Sequence, residues 1–515
     1  MHPANLLRGA LVAFTGLTLG LGLVRADVSL HSLFTDHAVL QQGRPVPIWG
    51  RAADGETVTV EFGGQSVSTV AQNGRWSVRL KPLKATAEGR NLQVRGNNTV
   101  VLSDVVVGEV WICSGQSNME WPLTASFEPS ADIASSANPN LRLFTVTKRR
   151  SPVPQTELHH AAHAWGTASP EAVRRFSAVG YYFGRDLQPA LGVPVGLIHT
   201  SWGGSPAEVW MSEETIKDNH LYTRDILDPY VLTRRAHEAA LSKWRAAKAA
   251  AEAKGEKFTQ GAPGAPWCPA ELYNGMLRPL MPYAIAGAIW YQGESNAGRA
   301  WQYRSLFADM IRNWRRDWNQ GDFPFLAVQL APWDKNRKRS IADITAKPVE
   351  SDWAELREAQ NYVAETLPRV GVAVITDVGD KDDIHPNQKA PVGARLALLA
   401  QTIAYGKSVE SSGPTYASQG RSGSTLILNL NHARGLKTSD GAAPKGFALA
   451  GKDGVWHWAT AEISGSSVRL NASQVPHPLH IRYGWDDFPV LNLINGTGLP
   501  ASPFRTDHFR GVTQN

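Results

Sequence analysis

The chain has 515 residues, of which 43% are hydrophobic and 19% are charged. This composition excludes a disordered chain, a collagen-like repeat and a protein with many membrane spans. Basic side chains outnumber acidic ones by only 52 to 46, with no long basic run, so the sequence gives little support to nucleic-acid binding. At about 150 residues per domain, the length allows two to four domains.

Residues 1–26 have the pattern of an export signal. Arg8 precedes an uncharged apolar run over 9–24, and Ala26 ends a short sequence that suits a signal peptidase. The alternative is an uncleaved anchor, but the run is shorter than the about 18 apolar residues of a membrane span, and no later stretch approaches that length. The sequence therefore predicts an exported protein, periplasmic or secreted, whose mature chain has no membrane span.

Residues 27–105 are predicted to form an N-terminal β domain. Short alternating runs such as Thr57–Phe62 and Trp76–Leu80 are separated by turn pairs, including Asp54-Gly55 and Asn73-Gly74. This spacing is typical of an antiparallel β-sandwich.

Residues 106–407 have a different pattern, in which apolar runs without alternation are followed by helix-like segments. The apolar runs cover 105–113, 193–199, 284–291, 323–330 and 370–376, and the helix-like segments cover 176–191, 303–318 and 352–367. Strands followed by helices indicate a parallel sheet covered on both faces. The predicted fold class is therefore α/β, with reactive groups just beyond the carboxyl ends of the strands.

Two other segments complete the predicted organisation. A run with mixed charges over about 231–257 predicts a helical insertion on the surface of the central domain, and short β-like runs return in 408–515, which we predict to be a C-terminal β domain. Cys113 and Cys268 are the two cysteines, so one disulfide is possible. Cys113 nevertheless lies in an apolar run that is typical of a buried free thiol.

The segment WICSGQSNME at 111–120 is the first place that suggests chemistry. A serine at a tight glycine turn after a buried strand presents its hydroxyl at the strand's carboxyl end, where nearby N–H groups can hold a developing oxyanion. The segment is not a G-x-S-x-G elbow, because Met119 stands at the second glycine position. The alternative is a serine that only caps the following helix.

His385 follows the last apolar run, in the sequence GDKDDIHP at 379–386. A serine nucleophile needs a base, and a neutral imidazole needs an acceptor for its second nitrogen. Asp382, three residues earlier, is the predicted acceptor, with Asp383 as the alternative. The loop resembles a calcium loop in composition, but it lacks the ligand spacing of an EF-hand, so we predict neither a metal nor an organic cofactor.

Two further loops follow strands of the same sheet, SWGGSP at 201–206 and QGESN at 292–296. An oxyanion hole requires a glycine N–H together with an amide side chain, and both are present. Four such loops at one edge of a sheet indicate an active site rather than four ordinary turns.

Six sequence blocks carry a family resemblance over nearly the whole chain after residue 26. They are SGQSNMEW at 114–121, TSWGGSPAEVW at 200–210, WYQGESNA at 290–297, WAELREAQ at 353–360, DIHPNQK at 383–389 and GLPASPFRTD at 498–507. Together they resemble the SGNH-type carbohydrate acetylesterases, in particular the bacterial sialate O-acetylesterase-like group.

The resemblance implies a three-layer αβα domain of the SGNH-hydrolase type, with flanking β-sandwich-like domains. It also implies Ser117 as nucleophile and His385 as base, with an aspartate near the histidine to orient it. We prefer Asp382 for this role on spacing.

The resemblance further implies an oxyanion hole built from the Ser117 N–H, a glycine of the 203–204 pair and an amide of the 292–296 loop. We take Gly204 as the glycine. The usual G-x-N-D block of the superfamily is replaced here by QGESN, so both Gln292 and Asn296 are candidates for the amide.

The implied reaction removes O-acetyl groups from a carbohydrate, either sialic acid or a hemicellulose such as xylan or xyloglucan, through an acetyl-serine. Trp202 and Glu294 are predicted to contact the substrate. Tryptophan is abundant, with 18 residues against 12 tyrosines, and an indole face suits a sugar ring. We expect one or two of the tryptophans near the motifs to line the site; these are Trp111, Trp121, Trp202, Trp210 and Trp290. The alternatives are an esterase for lipids or other small esters, a glycosidase that uses Glu294, and a non-catalytic sugar-binding protein.

Overall fold

The computed structural model describes residues 27–159, 164–335 and 338–514. The predicted signal segment, 1–26, lies outside these residues. Within them, no helix combines the length and the hydropathy that crossing a membrane requires.

The N-terminal part consists of β strands, most of which pair antiparallel. They are β1 Ser29–Leu30, β2 Val39–Gln41, β3 Val46–Arg51, β4 Thr57–Phe62, β5 Gln65–Val70, β6 Trp76–Leu80 and β7 Thr86–Arg95. One sheet has the order β1-β3-β6, and β4 pairs with both β5 and β7. The two predicted strands here, β4 and β6, are confirmed, and both bury alternate side chains as their sequences predict.

The central sheet contains all five predicted apolar runs as strands. Its strands are β8 Thr99–Gly115, β9 Asn138–Thr145, β10 Gly166–Ala168, β11 Val195–Ser201, β12 Gly287–Tyr291, β13 Phe325–Val328 and β14 Val370–Ala373. The order is β10-β9-β11-β8-β12-β13-β14, with β10 antiparallel at the edge and every other neighbouring pair parallel. The carboxyl ends of six strands therefore meet at one edge.

Ten α-helices connect or flank these strands. They are α1 Ser117–Glu120, α2 Ser130–Ala134, α3 Ala178–Leu191, α4 Glu213–Lys217, α5 His220–Tyr222, α6 Asp228–Ala253, α7 Ala300–Trp318, α8 Ile341–Ala346, α9 Asp352–Thr366 and α10 Ala390–Ile403 among the described residues. The predicted helical insertion corresponds to α6, which has no buried residue. Helix α10 has no counterpart among the predicted segments.

Both faces of the central sheet are covered by apolar side chains from helices. Along β8, Val110 and Ile112 belong to the apolar cluster that includes residues of α7 and α9, whereas Trp111 and Cys113 belong to the cluster of α3 and α10. Neither face reaches water, which explains why these strands lack alternation. The α/β prediction is confirmed, while the finer SGNH-type three-layer assignment stays a prediction.

The C-terminal part returns to β structure, as the sequence predicts. Its strands are β15 Thr415–Ser422, β16 Thr425–Asn431, β17 Lys437–Thr438, β18 Phe447–Ala450, β19 His457–Trp458, β20 Thr460–Ser464, β21 Ser467–Asn471, β22 His480–Tyr483, β23 Leu493–Ile494 and β24 Phe504–Arg505. The buried guanidinium of Arg357, in α9, donates to the carbonyls of Asp486 and Asp487 at 2.7 Å each. These bonds anchor the C-terminal sheets on the central part.

The boundary predicted at residues 105 and 106 falls inside one strand. β8 pairs with the antiparallel β7 over its first half and with the parallel strands β11 and β12 over its second half. The domain limits therefore stay a prediction. Cys113 and Cys268, whose pairing the sequence leaves open, are both free thiols, and Cys113 is buried.

Candidate active site

Ser117 starts a short helix directly after the central strand β8. Gly115 has φ +139°, and a Cβ there would lie 2.2 Å from the carbonyl oxygen of Tyr291, so only glycine fits. The N–H of Gln116 donates to the same carbonyl at 3.0 Å. The chain thus turns tightly against β12 and begins α1 at Ser117, whose N–H has no acceptor within the helix because it lies in the first turn.

His385 lies against this hydroxyl, although 268 positions separate the two residues in sequence. Its Nε2 lies 2.8 Å from Ser117 Oγ, and its ring stacks on Trp121 with 5.2 Å between centroids. Burial lowers the pKa of His385 below its ordinary value, and the ammonium of Lys389 lowers it further, whereas the carboxylate of Asp383 acts in the opposite direction. The imidazole is therefore neutral near pH 7 and able to accept a proton.

The carboxylate beside His385 belongs to Asp383, which corrects the preference for Asp382. Asp383 Oδ1 accepts the backbone N–H of His385 at 2.8 Å and lies 3.5 Å from its Nδ1. The side chain of Asp382 is 66% exposed and pairs with Lys381 at 2.5 Å instead. Asp383 therefore lies where an orienting group is needed, at a distance that must shorten for a full hydrogen bond.

Neither predicted amide donor faces the serine. Gln292 is fully buried, and its Nε2 donates to Asn296 Oδ1 at 2.6 Å while its Oε1 accepts from Tyr303 at 2.7 Å. Asn296 is also buried, and its Nδ2 donates to Glu208 Oε2 at 2.9 Å. These bonds hold the 292–296 loop together, so the structure corrects the prediction that Gln292 or Asn296 holds an oxyanion.

Gly203, rather than the predicted Gly204, lies against the serine. A Cβ on Gly203 would lie 3.3 Å from Ser117 Cβ, whereas one on Gly204 would have nothing within 4 Å. The Gly203 N–H donates to Glu120 Oε2 at 2.7 Å, and Glu120 Oε1 accepts from Lys148 at 2.5 Å. The glycine next to the reaction centre therefore has its N–H held by a carboxylate.

Glu294 does not line the cavity, which corrects its predicted contact with substrate. Its Oε1 accepts from Asn118 Nδ2 at 2.6 Å, and its Oε2 is buried without a partner among the described residues. Burial raises the pKa of this carboxyl group. Glu294 thus belongs to the packing beneath the site.

A cavity of about 810 Å³ opens in front of Ser117 and His385. Trp121 and Trp202 line it, together with the charged side chains of Glu120, Lys148 and Arg175. The other tryptophans near the motifs are fully buried; these are Trp111, Trp210 and Trp290. The expectation that one or two tryptophans line the site is confirmed.

His199 also lines the cavity, although it is not among the site residues predicted from the sequence. It is 6% exposed, its Nε2 lies 2.6 Å from Ser201 Oγ, and burial lowers its pKa to about 4. Its place at the end of the apolar run 193–199, at the same sheet edge as the other loops, was the available signal. Lys148 and Arg175 carry no comparable signal in the sequence.

Hydrogen bonds within the acidic loop before His385, and from Arg395 in α10, hold the loop in place. Asp377 forms two hydrogen bonds of 2.6 Å with the guanidinium of Arg395, and Asp380 Oδ1 accepts the N–H groups of Asp382 and Asp383. Among the described residues, no group of three or more acidic, histidine or cysteine side chains has the arrangement of a metal site.

The chain matches a family of known proteins over more than half of its length. The family model described as "Carbohydrate esterase, sialic acid-specific acetylesterase" matches residues 107–262 and 255–402, which is more than half of the chain. The chain belongs to this family. Such enzymes are carboxylic ester hydrolases, and the predicted resemblance to sialate O-acetylesterases is confirmed.

Named relatives cover most of this esterase's length. The sialate O-acetylesterase of Mus musculus is 28% identical over 520 residues, covering 92% of this chain and 93% of the relative. That of Rattus norvegicus is 27% identical over 565 residues and covers 99% of both chains. Among solved structures, a carbohydrate acetylesterase from Xanthomonas citri is 35% identical, with a TM-score of 0.79, over 94% of this esterase and 100% of that chain.

Proposed function

We propose that this esterase removes O-acetyl groups from carbohydrates through an acetyl-serine intermediate on Ser117. The observation that carries the proposal is the 2.8 Å contact between Ser117 Oγ and His385 Nε2 at the base of an open cavity. A neutral imidazole on a serine hydroxyl, with a carboxylate near its second nitrogen, is the arrangement that activates a serine nucleophile. The SGNH-type three-layer fold belongs to the same proposal, supported by the parallel sheet with helices on both faces.

In the first half of the reaction, His385 takes the proton of Ser117 as Oγ attacks the acetyl carbonyl carbon. The carbonyl becomes a tetrahedral oxyanion, which collapses as His385 returns the proton to the departing sugar oxygen. In the second half, water gives a proton to His385 and attacks acetyl-Ser117, which releases acetate and restores the hydroxyl. Asp383 stabilises the imidazolium that forms in each half.

We assign the oxyanion hole to the N–H groups of Ser117 and Gly203. The Gly203 N–H donates to Glu120 in the free enzyme, so Glu120 has to release it when the oxyanion forms. Lys148 holds the other oxygen of the same carboxylate from the cavity side, where it can retain Glu120 after that release. One such donor contributes roughly 2.7–4 kcal/mol to transition-state stabilisation in other enzymes.

The lining of the cavity favours an acidic sugar over a neutral one. Lys148 and Arg175 supply two cations, and Glu120 is the only carboxylate among the described lining residues. Sialic acid carries a carboxylate that such a lining attracts, whereas the backbone sugars of xylan and xyloglucan are neutral. We therefore propose O-acetylated sialic acid as the preferred substrate and acetylated hemicellulose as the alternative.

The cavity also argues against the glycosidase alternative. Glycoside hydrolysis requires two carboxyl groups flanking one bond. Glu294 is removed from the cavity and bonded to Asn118, and Glu120 is held by Lys148 and Gly203.

The test is acetate release from matched acetylated glycans. Purified enzyme would be incubated with O-acetylated sialic acid, acetylated xylan and acetylated xyloglucan, and acetate would be quantified alongside mass spectra of the glycans. We expect the highest kcat/KM on the sialic acid. Faster hydrolysis of long-chain than of acetyl chromogenic esters would instead indicate a lipid esterase.

We also propose that the protein is exported, on the pattern of residues 1–26. Expression of the full chain in a bacterial host followed by N-terminal sequencing of the periplasmic fraction tests this. The expected mature chain begins at Asp27; an intact N-terminus in the cytoplasm would contradict the proposal.

A further inference from the structure

A buried lysine lies beside the imidazole and has no part in the steps above. Lys389 is 1% exposed, and its Nζ donates to Asn118 Oδ1 at 2.5 Å. The ammonium also faces the rings of Trp121 and Tyr291, at 5.7 and 5.3 Å from their centroids. Burial lowers the pKa of Lys389 to about 7. Because an apolar side chain of similar size would avoid the cost of burying this charge, packing alone does not explain a lysine here.

Asn118 joins this lysine to the two loops on either side. Its Nδ2 donates to Glu294 Oε1 at 2.6 Å and to the carbonyl oxygen of Ile384 at 3.1 Å. Asn118 directly follows the nucleophile in sequence, and Ile384 directly precedes the histidine. One amide side chain therefore ties the start of α1 to the backbone that carries His385.

The groups on the two sides of the amide determine its orientation. An ammonium can only donate hydrogen bonds and an ionised carboxylate can only accept them. The amide oxygen of Asn118 must therefore face Lys389, and its NH₂ group must face Glu294. Without the ammonium, the amide oxygen would lose its buried donor; without both charges, the reversed amide would become accessible, and the bond to the Ile384 carbonyl would be lost.

From this geometry we propose that Lys389 and Glu294 are positioning residues for the deacetylation reaction. Acting through Asn118, they hold the backbone before His385 against α1 and so keep the imidazole on the Ser117 hydroxyl. The inference rests on the proposed function, since it concerns the same serine and histidine.

The test compares Lys389→Met with the double variant Lys389→Met/Glu294→Gln. The double variant removes both buried charges but leaves an amide oxygen for Asn118, so it tests positioning without an uncompensated carboxylate. Lys407→Met is the control, because Lys407 donates to the backbone carbonyl of Ala190 at the end of α3 and neither residue lines the cavity. For each protein, kcat and KM on a short acetyl ester and the Tm would be measured.

We expect kcat to fall roughly 10–100-fold in both Lys389 variants, with KM within about twofold, because a small displacement of the imidazole is costly. The Tm should fall in Lys389→Met and recover in the double variant. Lys407→Met should match the wild type in kcat. Wild-type kcat in the double variant would overturn the proposal, because it would show that Lys389 and Glu294 only neutralise each other's charge.

The pH profile gives a second readout, which a purely structural role would not move. His385 is faced by Asp383 from its own loop, by Lys389 from the segment before α10, by Ser117 from α1 and by Trp121 directly after α1. The Lys389 charge opposes protonation of the imidazole, so Lys389→Met should move the acid limb of kcat/KM to higher pH. An unmoved limb would overturn the proposal. Ser117→Ala tests the proposed function separately, because activity in that variant would refute the serine mechanism whatever Lys389 does.

Discussion

Two histidine–serine pairs lie side by side in this esterase, one between loops and one within a strand. His385 contacts Ser117 at 2.8 Å, and His199 contacts Ser201 at 2.6 Å. The second pair is on β11, which is the neighbour of β8, with Ser201 in register with Gly115. Both pairs line the same cavity, so proximity of an imidazole to a hydroxyl does not distinguish them.

Their surroundings do distinguish them. The His385 side chain is 29% exposed and has Asp383 near its Nδ1. His199 is 6% exposed, and its Nδ1 has no partner among the described residues. Burial keeps His199 neutral, although the negative charge of Glu120 acts in the opposite direction. A carboxylate at the second ring nitrogen and access to solvent, rather than the hydrogen bond itself, favour His385 and Ser117 as the pair for the proposed reaction.

Replacement of the two serines should have very different consequences for kcat. Ser117→Ala should lower kcat about 10⁴-fold or more, because it removes the atom that accepts the acetyl group. Ser201→Ala should keep kcat within about threefold and lower the Tm, because it leaves a buried ring nitrogen without a partner. Acetyl-ester hydrolysis and thermal unfolding check both variants. Equal losses of kcat would show that the two pairs act together.

Replacement of the two aspartates before His385 should also change kcat to different extents. Asp383→Asn should lower kcat about 10–100-fold, less than the about 10⁴-fold of a fully buried triad aspartate, because Asp383 is half exposed and 3.5 Å from the ring. Asp382→Asn, the matched control, should stay within about twofold. A larger loss in Asp382→Asn than in Asp383→Asn would contradict the assignment.

A smaller effect is expected at the glycine that borders the nucleophile. Gly203→Ala should lower kcat about tenfold, because the added Cβ would press on Ser117 and displace the N–H that we assign to the oxyanion hole. Gly298→Ala is the control, since a Cβ there has open space. A normal kcat for Gly203→Ala would contradict the expected displacement of this N–H.

The smallest change that we expect is a shift in the pH dependence of kcat/KM. The reaction needs neutral His385, so kcat/KM should fall as pH drops through its pKa, which burial holds below the ordinary value of about 6.5. Asp383→Asn should move this acid limb to lower pH, because the carboxylate favours the protonated ring. His199→Gln should leave the limb in place, because the pKa of His199 is about 4. If the acid limb of kcat/KM shifted in His199→Gln and not in Asp383→Asn, His199 rather than His385 would be the base.

The sequence predicted the parts of this molecule that depend on hydrophobic pattern and chain order. The five apolar runs are strands, and the parallel sheet brings Ser117 and His385 to one edge, as strand order requires. The errors concern side-chain direction. Residue spacing favoured Asp382, but the turn before His385 directs Asp383 toward the ring. Gln292 and Asn296 follow a strand as predicted, yet their amides bond each other beneath the surface, which the order of residues does not reveal.

Because β8 is uninterrupted, a cut at the predicted boundary between residues 105 and 106 would divide a strand. The strand passes from Thr99 to Gly115 without a break, and Ser117, the proposed nucleophile, follows two residues later. Cutting the gene at residue 106 would divide this strand and separate β2 from its partners at 106–108, which exposes strand edges on both fragments. The N-terminal sheets and the central sheet therefore share one strand, and the position of Ser117 depends on both.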